Sequence, residues 1–159
     1  MRTAYKVFAW LVALGVVVQA ASMVYAVAGL GIWVDKEGGV FDKASGEAMF
    51  EGDITFTGVS GFVIHGMNGM MVIPILALIL LIVSFFAKVP GGIKFAGLVL
   101  LAVVVQVTLG LFGHEAAIWG MLHGINALVL FSLAVYAGWR VHTMERHPAA
   151  MTASERETV

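Results

Sequence analysis

Four long apolar stretches separated by short polar breaks constrain this chain more than any other feature. Backbone N–H and C=O groups find no water in lipid, so an apolar stretch of about 20 residues must satisfy them internally, as a helix. At about 1.5 Å of rise per residue, such a helix crosses a hydrocarbon core of roughly 30 Å. The runs predict helices over about 7–33, 59–87, 93–112 and 116–139. With 60% hydrophobic and 12% charged residues, the chain lies far from a soluble domain, where the shares are about one half and one quarter. A net charge of -1 without a basic run excludes a nucleic-acid footprint, so the partner to expect is the lipid bilayer. Cysteine is absent, which excludes disulfides, thiolate ligation, iron–sulfur clusters and covalent heme attachment.

The first apolar run follows Arg2 and Lys6 and exceeds the roughly 7–15 residues of a signal-peptide core, which predicts a retained helix. A polar outer loop spans 35–57, and the alternation Asp53-Ile54-Thr55-Phe56-Thr57 predicts a short strand or hairpin there. Pro74 removes an N–H inside the second helix and predicts a kink. Tight turns follow at Lys88-Val89-Pro90-Gly91-Gly92 and Gly113-His114-Glu115, and 140–159 reads as a polar tail. Arg2, Lys6, Lys88, Lys94, Arg140, Arg146 and Arg156 fall on one side, leaving Lys36 and Lys43 opposite; both termini are therefore expected in the cytoplasm, with the chain in the plasma membrane. Trp10, Trp33, Trp119 and Trp139 lie near helix ends, as interfacial aromatics do. The expected fold is all-α, a polytopic up-down bundle of four transmembrane helices over 1–139.

Two near-copies of one phrase stand inside these helices: Ile64-His65-Gly66-Met67-Asn68 and Leu122-His123-Gly124-Ile125-Asn126. Polar side chains are costly there, so each copy needs a reason to exist. Each histidine falls about seven residues into its helix, roughly 10 Å deep by helical rise. In an up-down bundle the second and fourth helices run parallel across the core, a geometry suited to clamping a flat macrocycle from both faces. Gly66 and Gly124, and likewise Gly69 and Gly120, would clear room for it. Asn68 and Asn126 follow their histidines by one helical step and would bond across the bundle or to a propionate. An imidazole that ligates iron through one nitrogen needs an acceptor for its other N–H, a backbone carbonyl or an amide. The rival reading makes these residues hydrogen-bonding groups between helices, worth about 0.6–2 kcal/mol each. Further alternatives are another metal or a proton relay, or duplication of a helix pair without both copies keeping a task. Gln19 and Gln106 with Thr108 would line the pocket or bond between helices, and His114 and Glu115 would be a solvated turn or deliver protons. His142 and His147 read as solvated tail, and Met67, Met70, Met71 and Met121 as adaptable packing.

The stretch Gln106-Val107-Thr108-Leu109-Gly110, a short turn, then Met121-Leu122-His123 with Ala127 resembles the last two helices of one half of heme A synthase. His65 with Gly69 below it is similar to that family's His-Arg-x-x-Gly pattern. The resemblance implies one pseudo-symmetric four-helix half of such a protein, with His65 and His123 as the ligand pair of a heme b near the outer face. Gly66 stands where the family has arginine, Phe62 where its catalytic half has glutamate, and the paired loop cysteines are missing. These departures point to holding the cofactor rather than hydroxylating it. The leading expectation is a small b-type cytochrome for electron transfer, as a homodimer or a subunit of a larger respiratory or oxidase complex. The alternatives are a heme-free structural subunit and an enzyme handling heme or quinone.

Overall fold

The structure, a computed structural model, describes residues 1–113 and 115–146, with the backbone alone at Phe50, Glu145 and Arg146. The expectations placed on His114, His147 and Arg156 lie outside the described residues. The elements are α1 (Arg2–Glu37), α2 (Lys43–Glu51), α3 (Ser60–Met67), a π-helical turn (Asn68–Val72), α4 (Ile73–Ala87), α5 (Gly92–Leu111) and α6 (Ala117–Arg146). Among the described residues there is no strand. Four helical segments are long and apolar enough to cross a membrane: Arg2–Glu37, Ser60–Ala87, Gly92–Leu111 and Ala117–Met144.

Two local expectations are corrected. In place of the strand expected at 53–57 the chain makes bends, irregular backbone and a turn, and the ordered element beside it is α2. Asp42 caps α2 by accepting from the Ser45 N–H at 2.8 Å, while the Asp42 N–H donates to the Ser45 hydroxyl at 2.8 Å; Gly52 closes the helix in the left-handed region at φ 89°. Pro74, where a kink is expected, lies within the second membrane-length helix. It sits just past the π turn, whose wider winding takes up the missing N–H and the ring. Finally, α6 runs past Trp139 to Arg146, so the first part of the expected tail is helix.

The chain divides into two compact units, a larger one of 1–16 with 72–159 and a smaller one of 17–71. In the larger unit the start of α1, α4, α5 and α6 bury one core that includes Tyr5, Val12, Leu80, Val99, Leu130 and Val141. Alanines at 9, 13, 77, 96, 102, 134 and 137 are buried in the same core, because helices without a hydrophobic drive between them need small residues to approach closely. The Tyr5 hydroxyl donates to the Gly92 carbonyl at 3.1 Å, and Arg2 donates to the Lys88 carbonyl at 3.4 Å. The Arg140 guanidinium lies 4.9 Å from the Phe95 ring centre, and a Cβ on Gly91 would stand 3.0 Å from one of its nitrogens. Two of the cationic side chains assigned to one face by the sequence, Arg2 and Arg140, therefore reach the α4–α5 turn that carries Lys88.

In the smaller unit, the second half of α1 meets α3 and the loop before it at glycines. A Cβ on Gly61 would strike the Ser22 carbonyl, and one on Gly29 the Thr57 carbonyl. Gly58 takes φ 108°, where only glycine is at ease, and brings its Cα to Gly29. Phe56 is buried and stacks on Trp33 with ring centres 5.5 Å apart.

Candidate functional site

Each histidine phrase is seated on a glutamine of the neighbouring helix, and each seat is complete within its own unit. In the smaller unit, α1 carries Gln19 and α3 carries His65. The His65 Nδ1 lies 3.1 Å from the Gln19 backbone carbonyl, and the Asn68 amide nitrogen donates to the Gln19 side-chain oxygen at 3.2 Å. A carbonyl can only accept, so a neutral ring bonded there would carry its proton on Nδ1 and its lone pair on Nε2. The Ser22 hydroxyl donates to the same Gln19 carbonyl at 3.1 Å. Gly69 lies against this seat: a Cβ at that position would press on the Gln19 amide nitrogen, which would have to move aside.

The larger unit repeats the pattern between α5 and α6. The His123 Nδ1 lies 3.0 Å from the Gln106 backbone carbonyl, and the Asn126 amide nitrogen donates to the Gln106 side-chain oxygen at 2.7 Å. Asn126 also donates to the Ala102 carbonyl at 2.9 Å. By the same acceptor logic a neutral His123 would carry its proton on Nδ1 and its lone pair on Nε2. Here the glycine lies on the glutamine's helix, because a Cβ on Gly110 would stand 3.1 Å from Cε1 and 3.2 Å from Nδ1 of His123.

The chain matches no known protein family, curated protein or solved structure.

The two histidines, both asparagines and both glutamines are half-buried, in a setting where every buried side-chain nitrogen or oxygen among the described residues has a partner. Gly66 and Gly124 are exposed, and a Cβ on either would meet open space. No neighbouring helix uses the room they leave. The nearest neighbour to a Cβ on Gly120 would be the Gly113 carbonyl, at 3.9 Å. Thr108 donates to the Val104 carbonyl of its own helix at 2.9 Å and is exposed, which takes it out of the interhelical role. Glu115 is exposed in the turn before α6. His142, read as solvated tail, is half-buried on α6. Met67, Met70, Met71 and Met121 are all more than half exposed and pack no core. Among the described residues no three His, Asp or Glu side chains come together as a metal cage.

Sequence reasoning named Gln19 and Gln106 but did not pair them with the histidines. The signal was present, since Val16-Val17-Val18-Gln19 and Val103-Val104-Val105-Gln106 are the same four residues. Paired with His-Gly-x-Asn, they form a second repeat that marks the same two sites.

Proposed function

We propose that this protein is a small b-type cytochrome of the plasma membrane, an up-down four-helix bundle with both termini in the cytoplasm. His65 and His123 supply the two axial nitrogens to one heme b, and the protein passes electrons as a subunit of a larger respiratory or oxidase assembly. The observation that carries this reading is the seat itself, repeated in both units: a carbonyl takes the Nδ1 proton and leaves Nε2 as the donor atom. Metal-bound imidazoles are held this way, their second nitrogen bonded to a carbonyl or carboxylate that fixes the tautomer and raises basicity. The donor set therefore fits heme iron. When bound, heme supplies one-electron redox cycling, and two imidazoles at its iron favour electron transfer over oxygen binding.

The chain's own residues do the rest. Gln19 and Gln106 orient the rings, while Gly66 and Gly124 keep side chains out of the space beside them. Arg2, Lys88 and Arg140 around the α4–α5 turn support the cytoplasmic assignment of that end. The resemblance to one half of heme A synthase points the same way.

One further reading has an observation in its favour. The histidine and asparagine bonds all join neighbouring helices, which is also what a heme-free structural subunit would need. A reduced-minus-oxidised absorption spectrum of the purified protein, with pigment extraction, separates the two. Low-spin heme b in the native protein, lost on His65→Ala and on His123→Ala, is expected. Colourless protein from heme-replete cells would leave the structural reading.

A further inference from the structure

The match between the two sites extends well beyond their polar residues. Ala9, Val12, Val16 and Gln19 on α1 stand at one constant spacing from Ala96, Val99, Val103 and Gln106 on α5. The three apolar residues of each set are buried alike: 0%, 0% and 9% exposed on α1, 0%, 0% and 2% on α5. His65, Gly66 and Asn68 keep a second constant spacing to His123, Gly124 and Asn126. Past the π turn this spacing becomes one residue shorter, and at the new value the buried positions Ile73, Ala77, Leu80 and Ser84 match the buried Leu130, Ala134, Ala137 and Val141. A π turn is an α-helix with one residue inserted. The single turn Asn68–Val72 thus accounts for the single break in register.

We infer that the chain is two copies of one helix-pair cassette, α1 with α3–α4 and α5 with α6. In each, Gln19 or Gln106 is a positioning residue that fixes its histidine as the Nδ1–H tautomer. The backbone carbonyl takes the imidazole proton, and the side-chain amide, bonded to Asn68 or Asn126, pins the two helices at the height where that carbonyl meets the ring. A lone interhelical polar contact needs no such duplication, whereas two imidazoles offering the same nitrogen do. How the rings are held does not depend on what they bind; the use made of Nε2 rests on the heme reading above.

The test uses the full chain in lipid nanodiscs with 15N-labelled histidine. In heme-free protein both His65 and His123 are expected as the Nδ1–H form, and an Nε2–H majority at either would overturn the inference. Gln106→Leu should mix the tautomers at His123 alone, and the exchange Gln106→Asn with Asn126→Gln should restore the native signal. In heme-loaded protein, Gln106→Leu should weaken heme retention by about 10–100-fold, the usual effect of removing a ligand's supporting partner, and shift the midpoint potential. Unchanged tautomer and potential in Gln106→Leu would reduce the glutamine to packing. Removing Met70 from the π turn should leave a folded, monodisperse protein, because it restores the spacing found in α6. Removing the matching Leu128 should rotate Leu130, Ala134 and Ala137 out of the core by about 100° and abolish folding. Equal damage from both deletions would refute the repeat. Protein that never takes up heme but keeps both tautomers would defeat the cytochrome reading and leave the cassette standing.

Discussion

The seat of His65 and the seat of His123 share the histidine–carbonyl and asparagine–glutamine bonds and differ in what surrounds them. At His123 the asparagine has two acceptors, 2.7 and 2.9 Å away, and the ring lies against Gly110 on the facing helix. At His65 the asparagine bond to Gln19 is 3.2 Å, the glycine against the seat is Gly69 on the histidine's own helix, and a π turn follows at once. Hydrogen-bond chemistry was kept in both places, while the steric means of making room for it was not. On the proposed reading, the pair acts through the orientation of its imidazoles rather than through any one packing solution around them.

The comparison can be broken most severely at the rings themselves. His65→Ala and His123→Ala should each abolish the low-spin heme spectrum, although the two seats differ in their surroundings; loss in one variant only would end their equivalence. Next in size, Asn126→Leu leaves the Gln106 amide oxygen without its donor and should destabilise the protein by about 1–2 kcal/mol in reversible unfolding from mixed micelles. Asn68→Leu, with its longer bond, should cost less, about 0.6 kcal/mol, near the average for polar pairs between membrane helices. Gly110→Ala should then shift the His123 ring by a few tenths of an ångström and move the heme absorption and midpoint potential. Gly69→Ala presses on the Gln19 amide instead, so it should act on stability more than on the spectrum.

The smallest effect should come from outside both seats. The Ser45 backbone N–H, and secondarily its hydroxyl, hold the Asp42 carboxyl below its ordinary value. With the folded value lower than the unfolded one, this cap contributes its stability above the ordinary carboxylate range and loses it as pH falls through the lowered value. Hydrogen exchange in α2 should therefore rise in acid while the heme spectrum stays constant. Asp42→Asn, which can still accept from Ser45, should remove most of that pH dependence.

The four apolar runs were legible because lipid forces a helix on any long stretch without water. The outer loop misled because five alternating residues occur in an irregular loop as well as in a strand. Phe56 finds Trp33 to pack on, and no partner strand is needed. The signs of α2 were Asp42 with Ser45 at its start and Gly52 after its end, a cap without the usual glutamate. Trp139 was not the end of α6, because Arg140 lays its guanidinium over Phe95 and Tyr136 and the helix carries it without ending. The histidine acceptors were narrowed to a carbonyl or an amide by chemistry alone. Which carbonyl could not be read until the packing of α1 on α3 and of α5 on α6 was known, since it lies on another helix in each case.

The most direct trial of the central claim is pulsed EPR on the oxidised protein carrying 15N-labelled histidine. Two equivalent imidazole nitrogens coupled to low-spin iron in the native protein, and loss of that low-spin signal in each histidine variant, is the outcome the two matched seats require. Coupling to a single histidine, or an unaltered signal when either His65 or His123 is replaced, would contradict it.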